Sequence, residues 1–295
     1  MATFLGHVLP GLVFLLFGLY HALLASRAML RGQRLLTPPR PPRSQTGASW
    51  LQRVPAEGLF KALCSMTFIL TEFFYPPGAN RLQLLDWEDP ARPFLHQDEW
   101  QHFTMYAFFM VSGWVDVLSQ TWPARRREGV ERVALALAFH VLTLLLLSHS
   151  QGKNALESQV HGLALLPAGL LSLVLTLEIW APDQPRLWIA RSWLVMVLGS
   201  WLLQTGFVLY RPPSGRPWQT DNPSELMFLT TFFCWHLALC ASLLTAVYVL
   251  CALWHHHPPA WSGEKGGSYQ LCPGGPHDEE FQKFKDEAGL PEKGV

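Results

Sequence analysis

Two apolar runs, 133–148 and 162–181, face each other across the polar turn 149–161, and they constrain this chain more than any other feature. His149 closes the first run and His161 opens the second. With its flanks, each arm is long enough to cross a bilayer, which takes about 20 apolar residues. A hairpin with a histidine at the same end of each arm sets two imidazoles at one depth in a membrane. An ionisable side chain there is costly and is expected to have a partner or a task. Two further runs, 193–210 and 226–254, are equally apolar. A soluble fold of one or two domains, which 295 residues would permit, is therefore excluded.

The expected fold class is an all-α membrane protein, a seven-transmembrane helical bundle. Its spans are expected at about 4–26, 57–75, 101–122, 130–149, 161–181, 187–210 and 225–254. The linker 27–56 is rich in Pro and Arg, with six arginines and no acidic residue, and reads as extended or disordered chain. The tail 255–295 is rich in Gly, Pro and charge and is expected to be disordered. Lys and Arg are biased to one side: 27–53, 125–127, Arg186, Arg191 and the tail face Arg81, Arg92, Lys153, Arg211 and Arg216 across the membrane. The positive-inside rule then gives an exoplasmic or lumenal N-terminus and a cytosolic C-terminus. The expected partners are the lipid bilayer and cytosolic proteins docking on the linker. A net charge of zero offers no nucleic-acid surface. Five cysteines without a CxxC read as reduced thiols, not as a disulfide framework. Cys251, near a membrane edge, is a candidate for palmitoylation.

Once the spans alternate in direction, most of their polar residues fall into one layer. His7 opens span one, Glu72 ends span two, His102 opens span three, His149 ends span four and His161 opens span five. Gln204 lies in the outer half of span six, and His236 lies deepest, in span seven. Asp116 and Glu178 form a sparser layer near the cytosolic side. Lys61, Ser65 and Glu72 share one helical face, as do His102 and Asp116, and these faces are expected to look inward. His, His, His and a carboxylate suit Zn, and two His with one carboxylate suit Fe. The candidate metal ligands are His102, His149, His161, His236 and Glu72. His7, Gln204, Asp116 and Glu178 are candidates for the groups that orient the ligands or relay protons. No HExxH occurs, so each ligand would come from a different helix. His140 reads as a packing or lipid-edge residue, and His21 as one that reaches water at the cytosolic end.

The chain resembles the transmembrane protein 45 family, which includes the transmembrane epididymal proteins. The resemblance rests on Gly6-His7 with Pro10-Gly11, Trp100-Gln101-His102 with Thr104-Met105-Tyr106, and Ser112-Gly113 with Asp116. It continues through His149, His161, Glu178, Gln204 with Gly206-Phe207-Val208-Leu209, and Leu226-Met227-Phe228 to Phe233-Cys234-Trp235-His236. It implies a multi-pass membrane protein from a family without a settled reaction. The family pattern it implies has two further histidines where this chain has Gln151 and Gln159, and a carboxylate where His140 stands. Several functions stay open: a metal-dependent membrane enzyme acting on lipid, its haem-ligating variant, an ion or proton transporter, and a non-catalytic trafficking or scaffold protein.

Overall fold

The computed structural model describes residues 4–35, 54–121 and 128–256. Most of the Pro/Arg-rich linker, Arg125–127 and nearly all of the tail lie outside the described residues. Among those described there are seven helices: α1 Phe4–Leu30, α2 Ala56–Phe74, α3 Gln97–Thr121, α4 Glu128–His149, α5 Ala155–Trp180, α6 Pro185–Tyr210 and α7 Pro223–His256. Five of them, α1 and α4 to α7, are long and apolar enough to cross a membrane.

Local chemistry sets several of the ends. The α5 helix starts six residues before the expected span, at Ala155, because the Asn154 side chain caps it and accepts the Glu157 N–H at 2.8 Å. Gly152, at φ +71°, turns the chain between α4 and α5 in a conformation that side chains disfavour. Pro185 opens α6, where its missing N–H costs nothing. The α1 helix runs on to Leu30, and Leu35 beyond it is buried in a small cluster with Ala25, Ala28 and Trp188, so the start of the linker is packed chain. The acidic loop between α2 and α3 is ordered too. Leu85 and Phe94 form an antiparallel bridge, and the Arg92 guanidinium lies 5.5 Å from the Trp87 ring centre.

Six helices close into a ring. The α1 helix lies along α6, and α6, α5, α4, α3 and α2 follow as successive neighbours. Phe17 meets Phe60 at 5.5 Å between ring centres and closes α1 onto α2. Two seams depend on glycine, because backbone meets backbone there. A Cβ on Gly11 would stand 2.7 Å from Leu203 N, and one on Gly18 would stand 2.8 Å from Met196 N. On the other seam, a Cβ on Gly113 would stand 2.7 Å from both Ala62 N and Gly58 O.

The α7 helix lies outside the ring against α5 and α6. Trp193 donates to Leu237 O at 3.2 Å, Gln159 donates to Thr230 Oγ1 at 2.9 Å, and Trp201 packs on Phe233. Large apolar side chains point outward all around: Met227 is 73% exposed and Leu144 67%. Water would not tolerate so much apolar surface, and lipid does. By contrast, the charges on α2 and α3 point inward. Lys61, Glu72 and Asp116 are buried or nearly so, as their shared helical faces predict.

Candidate functional site

Three of the ring's imidazoles are anchored in the same way. His102 Nδ1–H donates to Glu72 Oε1 at 2.7 Å, across from α3 to α2. His149 Nδ1–H donates to Gln101 Oε1 at 3.0 Å and also lies 3.3 Å from Asp98 Oδ1. His161 Nδ1–H donates to the Glu157 carbonyl one turn back at 2.7 Å. The acceptors at all three Nδ1 atoms place a proton on each Nδ1 and leave the Nε2 atoms for other partners.

The rings then follow one another. Centre-to-centre steps are 5.1 Å from His102 to His149, 5.0 Å from His149 to His161 and 5.7 Å from His161 to His7. The Nε2 atoms of His161 and His7 stand 3.5 Å apart. Tyr210 lies beside His7 at 5.5 Å between ring centres, and its buried hydroxyl has no hydrogen-bond partner among the described residues. At the rim, Lys153 Nζ donates to both Asp98 oxygens at 2.9 and 3.1 Å. Asp98 precedes the apolar part of α3. Burial works against its charge, but the Lys153 hydrogen bond and the neighbouring His149 hold it below the usual carboxylate range.

Beneath these imidazoles the ring lines a partly open cavity of about 150 Å³. Its middle is apolar. Phe14, Phe109 and Phe139, from α1, α3 and α4, form a triangle of ring contacts at 5.0 to 5.9 Å. Its far end is ionic and includes His21, Glu57, Lys61 and Arg191. There Lys61 pairs with Asp116, which is 1% exposed, and Arg191 Nη1 donates to Glu178 Oε2 at 2.7 Å. Ser119 donates to Glu131 at the same end. The cavity thus has imidazoles at one end, hydrocarbon in the middle and ion pairs at the other.

The structure brings together four of the five expected ligands, His102, His149, His161 and Glu72, with His7, expected to orient ligands or relay protons, beside His161. It does not bring His236 there. That side chain sits on α7, outside the ring, 3.2 Å from Ser200 Oγ and against Trp201 and Phe232. Gln204 is half-buried on α6. Among the described residues no group of three or more His, Cys, Asp or Glu side chains could hold a metal ion. Of the expected ligand set His102, His149, His161, His236 and Glu72, the first three and Glu72 adjoin one another, and His236 stands apart on α7. His140 is exposed and donates to the Ala136 carbonyl at 2.8 Å, away from the site as expected. His21 corrects the expectation of a water-reaching residue. It is 8% exposed, and its Nε2 lies 3.5 Å from Glu57 Oε1. Tyr210, Glu57 and Glu131 were not singled out by sequence, and Gln101 entered only through the family resemblance. Gln101 and Glu57 had a usable signal, since each stands on the inward face of a helix with an identified inward residue.

The family described as "Family of unknown function (DUF716)" matches residues 128–249. The chain is 36% identical to transmembrane epididymal protein 1A of Mus musculus over 296 residues, covering 99% of this chain and 95% of that protein. It is 37% identical to transmembrane epididymal protein 1 of Rattus norvegicus, covering 86% of this chain and 83% of that one. It is 38% identical to transmembrane epididymal protein 1 of Homo sapiens, covering 75% and 80%.

Proposed function

The chain belongs to the transmembrane protein 45 family, together with the transmembrane epididymal proteins, and we propose that it is a seven-span protein whose helix ring binds an amphipathic, lipid-like molecule. The observation that carries this reading is the partly open cavity, apolar between Phe14, Phe109 and Phe139 and bounded by imidazoles. Apolar pockets with a few convergent polar groups are the usual form of a ligand site. His161 Nε2 faces His7 Nε2 at 3.5 Å, and as neutral rings anchored through Nδ1, His102 and His149 offer Nε2 lone pairs as acceptors, so the polar end of the ligand carries a donor, a hydroxyl or an amine. In this reading the imidazoles serve as hydrogen-bond acceptors.

Lipid extraction from the detergent-purified protein tests this. One amphiphile with a hydroxyl or amine head should co-purify in excess over its share of the membrane. Leu142→Trp, which fills the cavity wall, should reduce it about tenfold, a loss of about 1.4 kcal/mol. An extract matching bulk membrane lipid in both proteins would overturn the reading.

In the same reading α2 and α3 cross the membrane with the other five. Their charges exclude them on average composition but are paired inside the ring, where lipid does not meet them. The N-terminus then lies on the exoplasmic or lumenal side and the C-terminus in the cytosol. A glycosylation acceptor inserted in the loop 76–96 should be modified, and one inserted in the linker 36–53 should not. The reverse pattern would invert the orientation.

A further inference from the structure

The ionic end of the ring carries a charge arrangement that the ligand reading does not use. From α2, Lys61 is shared by two carboxylates. It pairs with Asp116 of α3, and its Nζ lies 3.9 Å from Glu57 Oε1. The same Glu57 oxygen is 3.5 Å from His21 Nε2 of α1. The result is a chain of four side chains, His21–Glu57–Lys61–Asp116, with two carboxylates and one permanent cation. All four are about nine-tenths buried or more, with side-chain exposures of 10%, 8%, 11% and 1%.

The other charges facing this chain cancel among the described residues. The α5 and α6 helices contribute Glu178 and Arg191, which pair with each other. The α4 helix contributes Glu131 and Arg132, one of each sign. A small second cavity lies among these groups, and His21, Glu57 and Lys61 line both it and the main cavity. Three buried atoms of the chain have no hydrogen-bond partner among the described residues, Glu57 Oε2, His21 Nδ1 and Asp116 Oδ2, and of these Asp116 Oδ2 has the Lys61 ammonium as its ion-pair partner. Two carboxylates around one ammonium leave a net negative charge, which a low-dielectric interior strongly disfavours. The imidazole and the two carboxylates are the groups of the chain that can take up a proton.

We propose that the chain His21–Glu57–Lys61–Asp116 is a proton-binding site that holds one exchangeable proton inside the helix ring. Glu57 and His21, which line both cavities, are where the proton enters and leaves. This site does not rest on the bound lipid: it stands or falls on charge balance at the other end of the cavity.

The proton has a thermodynamic signature. The folded chain keeps it at neutral pH, whereas an unfolded carboxylate has lost it above about pH 4. The folded state then binds more protons than the unfolded state, and stability falls as pH rises. In the full-length, detergent-purified protein, the melting temperature should fall between about pH 5 and about pH 8. Glu57→Gln and Asp116→Asn each remove one carboxylate while keeping its shape, so each should lose most of that fall. Wild type and both variants falling in parallel would overturn the proposal. Labelling of the wild-type protein by dicyclohexylcarbodiimide, which reacts with protonated buried carboxyls, gives a second readout that needs no variant. An adduct on Glu57 or Asp116 that diminishes as pH rises supports the site. No adduct on either residue overturns it. Suppression of the adduct by sodium chloride at fixed pH also overturns it, replacing the proton with a metal cation.

Discussion

Gly199→Leu should abolish the folded protein, and it is the largest single effect expected anywhere in the ring. Gly199 of α6 faces α1, and a Cβ there would fall onto Leu15 N and stand 2.8 Å from Gly11 O. Those atoms are backbone, so no side chain can rotate away. The α1 helix would have to move off α6, and the buried contacts along that seam would go with it. Overpacking against movable side chains costs about 1–3 kcal/mol, and a collision with helix backbone exceeds that range. Size-exclusion profiles in mild detergent should show aggregate or no protein. Gly162→Ala is the matched control, since a Cβ on Gly162 meets nothing within 4 Å. It should leave the profile unchanged and add up to about 1 kcal/mol through helix propensity. A monodisperse Gly199→Leu protein with wild-type melting would contradict the close approach of α1 and α6.

Arg191→Leu should cost about 3–5 kcal/mol, because it strands a buried carboxylate. Glu178 is 3% exposed and its Oε2 accepts from Arg191 Nη1 at 2.7 Å. Its other oxygen, Oε1, already lacks a hydrogen-bond partner among the described residues, as do Arg191 Nε and Nη2. The pair is therefore poorly satisfied. Replacing both members with apolar residues is often neutral or stabilising when the pair itself gains little. Arg191→Leu combined with Glu178→Leu should thus recover most of the lost stability. Thermal melting followed by tryptophan fluorescence checks both. If the double variant is as unstable as the single one, Arg191 acts through something other than Glu178.

The helices were legible because apolar runs of bilayer length leave little choice of structure. The inward faces were legible too. Helical spacing put Lys61 and Glu72 on one face of α2 and Asp116 on the face of His102, and all of them lie inside the ring. Which helices are neighbours was not legible. Depth along the chain set His236 at the deep edge of the histidine layer, but α7 packs outside the ring and carries His236 away from the others. His21 failed for the same reason. Position near a helix end suggested water, while the Glu57 carboxylate on the adjoining helix holds it inside. Ring order depends on side-to-side packing, for which the spacing of residues within one helix carries no signal. The cavity, made by three phenylalanines on three helices, was invisible on the same grounds.

Occupancy of the cavity is tested most directly by photolabelling. An alkyl probe with a hydroxyl head and a mid-chain diazirine would be added to the purified protein in lipid nanodiscs, irradiated, and mapped by peptide mass spectrometry. Binding in the ring predicts adducts on the inward residues Phe14, Met105, Phe109, Phe139 and Leu142, which line the cavity. It also predicts that His161→Gln, which alters the imidazole end without filling the space, weakens labelling at these positions. Adducts confined to outward residues such as Leu144, Met227 and Leu239 would show the probe on the lipid-facing surface alone and would contradict a ligand site inside the ring.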